Sequence, residues 1–90
     1  MHHRPLSEIA EEIRTDWNPV HPIAKPYVDA MATLQKIDDN YALDSAVDVL
    51  ARFLGVCGTW KGGVARRVKT EIKGILAMQE GKLARQRAAA

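Results

Sequence analysis

The sequence predicts an all-α fold, a small bundle of three to four helices with short connections. Apolar residues recur at steps of three and four in four segments, which is the spacing of one buried helix face. Prolines separate the first two segments, Asp38-Asp39-Asn40 the next two and glycines the last two, and no segment alternates as a half-buried strand does. Ninety residues, 47% of them hydrophobic, suffice for one modest core. We expect one helical domain over residues 1–81 and a basic, partly disordered tail over 82–90.

The first predicted helix covers residues 6–16 and ends before a proline-rich connector. Ser7 is the side chain that the sequence offers as its N-cap. The prolines at positions 19 and 22 cannot propagate a helix. We expect Trp17, at the end of this helix, to fold back onto the core. The apolar stripe consists of Leu6, Ile9, Ala10 and Ile13.

Two further helices are predicted in the middle of the chain. The second starts between Pro22 and Pro26, because proline is tolerated only in a first turn, and ends at Asp38-Asp39-Asn40. The third helix is capped by Asp39 or Asn40 and ends at Gly55 or Gly58. It is the most apolar segment, and we expect it at the centre of the bundle. The apolar stripes are Tyr27, Ala30, Met31, Leu34 and Ile37 in the second helix, and Leu43, Ala46, Val47, Leu50, Phe53, Leu54 and Cys57 in the third.

Charge is divided unequally along the chain. Residues 1–58 carry five basic and nine acidic side chains, a balance of −4, and residues 59–90 carry eight and two, a balance of +6; the sum is the +2 of the whole chain. Such polarity either joins the two halves or presents a face that attracts anions. A fourth helix beginning after Gly63 carries this basic charge beside an apolar stripe of Val64, Ala65, Val68, Ile72, Ile75 and Leu76.

The segment from Gly58 to Lys69 is the candidate binding site. Glycines ahead of a helix expose backbone N–H groups, and the helix dipole there favours negative charge. Trp60 offers a flat face on which a base could stack. These features suit a nucleotide or a nucleic acid. The residues predicted to bind it are Trp60, Lys61, Gly62, Gly63, Arg66, Arg67, Lys69 and Lys73.

Two other interpretations of this segment stay open. In the first, Trp60 is a core anchor, the glycines form a tight turn and the basic side chains are a solvated face. In the second, the third and fourth helices form a helix-turn-helix with the fourth in the major groove. The connector from Gly55 to Gly63 is longer than the three to four residues typical of that motif. The side chains facing DNA would be Arg66, Lys69, Thr70 and Lys73.

The sequence gives little support for a disulfide, a metal site or a catalytic site. Cys57 is the single cysteine, which excludes an intramolecular disulfide and a thiolate zinc cage, and we expect it to be a small core residue. The carboxylates Asp38, Asp39, Asp44 and Asp48 do not follow the calcium-loop pattern. No nucleophile and base pair can be assembled. We therefore expect no catalytic residue, metal or cofactor, and, because no apolar run could span a bilayer, no membrane partner and a cytoplasmic location.

Several motifs between Ile9 and Leu76 carry a resemblance to a known group of proteins. They are Asp16-Trp17, Ala24-Lys25-Pro26-Tyr27 with Ala30-Met31, Asp39-Asn40-Tyr41 with Asp44-Ser45-Ala46, and Gly58-Thr59-Trp60-Lys61-Gly62 with Ala65-Arg66-Arg67-Val68-Lys69. In them the chain resembles small helical proteins encoded by bacteriophages, prophages and related mobile elements of bacteria. Members often carry glycine at the position of Ala42 and asparagine-alanine at Val56-Cys57. The resemblance implies a phage gene acting inside a bacterium and attaches no reaction to it.

Together these observations predict a non-enzymatic phage accessory protein that binds a nucleic acid or a nucleotide through its basic Trp60–Lys73 face. The alternative is an inhibitor of a host or defence protein, as a monomer or a homodimer, that docks through exposed Tyr27, Met31 or Trp60. The burial of Trp60 discriminates between them. A buried Trp60 with outward basic residues favours nucleic acid or a structural role alone, and an exposed one favours a protein partner.

Overall fold

The computed structural model describes residues 3–36, 40–41 and 44–89, with side chains of α4 described up to Gln79. Four helices occupy most of this part of the chain and confirm the predicted all-α bundle. Two strands of two residues each pair antiparallel ahead of the third helix. The elements are α1 (Leu6–Asp16), α2 (Lys25–Met31), β1 (Asn40–Tyr41), β2 (Asp44–Ser45), α3 (Ala46–Val56) and α4 (Gly63–Ala89). None of the described helices is both long and apolar enough to cross a membrane.

The N-terminus of α1 is closed by the main chain and not by the predicted cap, Ser7. Pro5 stands at the N-cap position and makes no side-chain cap bond. The N–H of Leu6 donates to the carbonyl of Gln35 at 3.1 Å, and the N–H of Ser7 donates to the carbonyl of Leu34 at 2.9 Å. These bonds satisfy two of the N–H groups that a first turn leaves without an intrahelical partner. They also tie the start of α1 to the chain that follows α2.

The second helix is shorter than predicted. It begins at Lys25 with Pro26 in its first turn, as expected, but it ends at Met31 and not at residues 38–40. Beyond it the chain turns, and Leu34 remains buried outside the helix. The N–H groups of Thr33 and Leu34 donate to the carbonyls three residues back, those of Ala30 and Met31, so the α-helical ladder ends there, and the Leu34 carbonyl bonds to α1 instead. The predicted core or turn positions Ile37, Asp38, Asp39, Ala42 and Leu43 lie outside the described residues.

The third helix begins later than predicted, and its cap is Ser45. The Ser45 hydroxyl accepts a hydrogen bond from the N–H of Asp48 at 3.1 Å. The expected cap in the Asp38-Asp39-Asn40 turn is wrong, because Asn40 belongs to β1 and α3 starts only at Ala46. The helix ends at Val56, one residue past the first of the two predicted glycines.

All four helices contribute to one core. α3 contacts both α2 and α4, and its Leu50 and Phe53 have no exposed surface. Trp17 folds back onto this core as predicted, and its ring meets Phe53 edge-on with the centroids 6.5 Å apart. Full burial of an aliphatic or aromatic side chain contributes about 1.5–3 kcal/mol. Other fully buried side chains are Leu6, Ile9, Ile13, Met31, Val68 and Ile72.

The fourth helix continues past the predicted boundary of the domain. Ile75 is the last buried residue among its described side chains. The backbone of α4 then remains helical through Gly81 and up to Ala89. Gly81 therefore does not end the helix, and residues 82–89 continue α4.

Candidate functional site

Trp60 lies in the core and not on the surface. Its side chain is 2% exposed. One face stacks on Trp17 with the ring centroids 5.7 Å apart and the planes within 4°, and Phe53 meets the ring edge-on at 6.4 Å. The indole Nε1–H donates to Oδ2 of Asp16 at 2.8 Å. The expectation that a base stacks on Trp60 is wrong because protein covers the ring, and the alternative of a core anchor is confirmed.

The connector between α3 and α4 presents Lys61, Gly62 and Gly63 to solvent. Gly62 has a φ of 113°, which side chains of L residues rarely adopt, and this conformation turns the chain into α4. The N–H of Arg66 donates to the Gly62 carbonyl at 3.0 Å and closes the first turn of the helix. The positive end of the helix dipole therefore lies beside Lys61.

Arg66 and Lys73 lie on the outer face of α4. Seven residues make nearly two helical turns, so the two positions share one side of the helix about 10 Å apart. The opposite side carries the buried Val68 and Ile72. Among the described residues, neither Arg66 nor Lys73 takes part in an ion pair. Both side chains are exposed and are available to an external anion.

Arg67, although adjacent to Arg66, is held by carboxylates of the protein. Its guanidinium donates to Oε2 of Glu12 and lies 3.9 Å from Oε1 of Glu71. Arg4 binds the same two carboxylates, with bonds of 2.7 and 2.8 Å to Glu71 and a further bond to Glu12. These four charges form a network that joins residue 4, α1 and α4. Arg67, assigned to the binding site from sequence, thus serves as a link between the two halves of the chain.

The network shifts the pKa values of Glu12 and Arg4. The bond from Arg4, and after it the bond from Arg67, holds the pKa of Glu12 below its usual value. The pKa of Arg4 is raised, chiefly by its bond to Glu71. Both groups are therefore charged at neutral pH. The sequence allowed two roles for the unequal charge of the two halves, and both occur. The network joins the two halves, and other basic side chains face solvent.

Lys69 is half-buried between α4 and the connector. Its Nζ donates to the carbonyl of Trp60 at 2.5 Å and lies 6.0 Å from the centroid of the Trp60 ring. This ammonium is bound to the main chain, whereas those of Lys61 and Lys73 point to solvent.

Cys57 is 2% exposed, and its Sγ donates to the carbonyl of Leu54 at 3.5 Å. Burial raises the pKa of the thiol. A protonated, buried thiol is a poor nucleophile, and the predicted role of Cys57 as a small core residue is confirmed.

The structure removes two of the three anchors expected for a protein partner. Met31 has no exposed surface and Trp60 is 2% exposed, so the prediction that they are exposed is wrong. Tyr27 is half-buried and packs against the core. The large hydrophobic side chains that the described surface does expose are Ile23, at 58%, and Met78, at 47%.

Two grooves border α2, and neither is lined by the basic residues of the connector or of α4. One lies between α2 and α3 and includes Tyr27 and Arg52 in its wall. The other lies beside the proline connector. Both include Asp29, whose carboxylate pairs with Lys25 at 3.0 Å and with Arg14 at 2.7 Å.

The described residues contain no group of three or more His, Cys, Asp or Glu side chains that could hold a metal ion. Of the four carboxylates considered from sequence, Asp48 is exposed in the first turn of α3. Asp38 and Asp39 lie outside the described residues, as does the side chain of Asp44.

Compared with protein families, with curated proteins and with solved structures, the chain matches none. Residues 57–62 separate α3 from α4, a connector longer than the turn of a typical helix-turn-helix.

Proposed function

We propose that this protein is a non-enzymatic accessory protein that binds nucleic acid through the solvent-facing cations of the connector and α4. The observation that carries the proposal is the contrast between neighbouring basic residues. Arg67 is neutralised by the protein's own carboxylates, whereas Lys61, Arg66 and Lys73 are exposed and take part in none of the ion pairs of the described residues. We call these three residues the basic row.

The shape of the basic row favours a polymer over a mononucleotide. Arg66 and Lys73 are about 10 Å apart along one side of α4, and Lys61 precedes the first turn of the same helix. This spacing matches phosphates about three nucleotides apart on one strand, since each nucleotide advances the strand by about 3.4 Å. A mononucleotide site needs a concave pocket with a stacking surface, and the buried Trp60 offers no such surface.

The proposed contacts are made to phosphates and not to base edges. Lysine and arginine that neutralise phosphates release condensed counterions, which makes binding steeply dependent on salt and independent of sequence. Single-stranded nucleic acid is normally held by exposed aromatic side chains as well. With Trp60 in the core, we expect duplexes to bind at least as tightly as single strands.

The proposed setting is a phage or prophage gene expressed in the cytoplasm of a bacterial host. The sequence motifs from Asp16 to Lys69 support it. A small protein with a sequence-independent phosphate-binding face would coat or sequester nucleic acid there.

The experiment is a titration of a fluorescein-labelled duplex of about 20 base pairs, followed by fluorescence anisotropy between about 50 and 200 mM salt. The test variant combines Arg66→Ala and Lys73→Ala. Removing two phosphate contacts should flatten the slope of log K against log salt by about 1.8 and weaken binding at least tenfold at low salt.

The matched control combines Lys25→Ala and Arg52→Ala, two exposed basic residues on α2 and α3. It removes the same net charge from a different face. The control should keep the wild-type salt slope. Equal losses in the two double variants, or unchanged binding in the test variant, would show that the basic row is not the site.

A further inference from the structure

Lys69 was grouped with the phosphate-binding residues from sequence, and its surroundings differ from theirs. It is half-buried, whereas Arg66 and Lys73 on the same helix are exposed. Its Nζ reaches across to the connector and donates to the Trp60 carbonyl at 2.5 Å. The main-chain oxygen it binds belongs to the residue immediately before Lys61.

The connector is fixed at this point from several sides. The Trp60 N–H donates to the carbonyl of Cys57 at 3.0 Å and closes a tight turn. The Trp60 indole is held by Asp16 on α1 and stacks on Trp17. The bond from Lys69 holds residue 60 from the side of α4. It couples the second turn of α4 to the loop that leads into the first.

Lys61 lies between this fixed point, residue 60, and the bond from the Arg66 N–H to the Gly62 carbonyl. Lys61, Gly62 and Gly63 are exposed, and a Cβ built on either glycine would meet no atom within 4 Å. Two consecutive glycines allow the backbone many conformations. The place of Lys61 relative to Arg66 therefore depends on how firmly residue 60 is held.

We infer that Lys69 is a positioning residue of the basic row: through the Trp60 carbonyl it holds Lys61 and the start of α4 in place, and it does not itself bind phosphate. The inference rests on the proposed function for its consequence in binding. The mechanical part, that Lys69 fixes the connector, is independent of any ligand.

The experiment compares Lys69→Met with Lys73→Met in the full chain. Methionine keeps the aliphatic length and removes the charge and the donor. Lys73 is the control because it lies one turn further along α4 and is exposed. Two quantities are measured: hydrogen exchange of individual amides by NMR, and duplex binding across the salt range given above.

The exchange measurement decides the mechanical part. In Lys69→Met we expect the Trp60 and Arg66 amides, which bond to Cys57 and Gly62, to exchange about tenfold faster, while the amides of α1 change by less than about twofold. Lys73→Met should leave all of them unchanged. Unaltered exchange at Trp60 in Lys69→Met, or equal acceleration throughout the domain, overturns the inference.

The binding measurement separates positioning from direct contact. A positioning residue should weaken duplex binding about threefold to tenfold with the salt slope unchanged, whereas Lys73→Met should flatten the slope by about 0.9. Lys69→Arg, which retains a donor and the charge, should restore most of the affinity. A flattened slope in Lys69→Met equal to that of Lys73→Met would make Lys69 a phosphate ligand and overturn the inference. Failure of the wild-type protein to bind any duplex would refute the proposed function instead, and the exchange result would still decide the role of Lys69.

Discussion

The indole N–H of Trp60 donates to the carboxylate of Asp16 at 2.8 Å, and this bond links the α3–α4 connector to the last residue of α1. The two residues are 44 positions apart in sequence. The bond satisfies the polar atom of a side chain that is otherwise packed among aromatic rings. Buried tryptophans usually have an acceptor for this N–H, because an unpaired buried donor is costly.

This bond should be measurable as a coupling energy. Asp16→Ala leaves the indole N–H without its acceptor and should lower the free energy of unfolding by about 1–2 kcal/mol. Trp60→Phe removes the donor together with packing. A double-mutant cycle followed by urea unfolding should give a coupling of about 1 kcal/mol between the two sites. Additive effects of the two substitutions would mean that the bond contributes nothing to stability.

The two neighbouring glycines where the connector meets α4 should respond differently to alanine. Neither has an atom within 4 Å of an added Cβ, so space does not distinguish them. Gly62 has a φ of 113° and Gly63 is the first residue of α4. Gly62→Ala should destabilise the protein by about 1–2 kcal/mol through backbone strain. Gly63→Ala should be neutral or stabilise by up to about 1 kcal/mol, and thermal unfolding of both variants checks the sign.

Acid should remove the stabilisation that the Glu12 network provides. The pKa of Glu12 is lower in the folded protein than in the unfolded chain, chiefly because Arg4 binds the carboxylate. Its contribution is therefore complete above the usual glutamate pKa and is lost as the pH falls through the depressed folded value. Glu12→Gln should cost about 1 kcal/mol at neutral pH, and this difference from wild type should shrink below about pH 4. Urea unfolding across pH measures it, and a difference that grows on acidification would contradict the assignment.

Release of Arg67 should increase the affinity for nucleic acid. Glu12→Gln removes the carboxylate to which the Arg67 guanidinium donates. The remaining carboxylate, that of Glu71, has its Oε1 3.9 Å from this guanidinium. We expect duplex binding to tighten about threefold or more, and the salt slope to steepen by up to about 0.9, because one more cation can reach a phosphate.

Glu11→Gln is the matched control for that variant. Glu11 is also on α1, is 70% exposed and pairs with Arg14. Its substitution removes the same charge without touching Arg67. Equal tightening in both variants would indicate a general charge effect and not the release of one arginine.

Local patterns predicted the buried face and the end of α1 well because both are set nearby in the sequence. The stripe from Leu6 to Ile13 defines its buried face, and the prolines after Trp17 stop it. The end of α2 was missed because Leu34 keeps the helical spacing of apolar residues although it lies outside the helix. That difference depends on a main-chain bond from α1, which no periodicity reveals.

The sequence predicts which residue types make up the candidate site, but it does not predict which of them face solvent. Arg66 and Arg67 are equivalent in the sequence, yet one turn angle of about 100° sends the first to solvent and the second towards Glu12. The partner of Arg67 is 55 residues away. The sequence leaves the role of Trp60 open in the same way, because an indole ring can stack on a base or pack in a core. The positions of Asp16 and Trp17 decide between these two roles.

The closure of α1 by the carbonyls of Leu34 and Gln35 makes two helices into one folding unit. The N–H groups of Leu6 and Ser7 obtain their acceptors only once the chain has passed through α2 and returned. Neither segment is long enough to be a stable helix alone, because α1 has 11 residues and α2 has 7. We expect these two helices to form and to melt together, so that damage to the turn after Met31 loosens the amino-terminal helix as much as the one it follows.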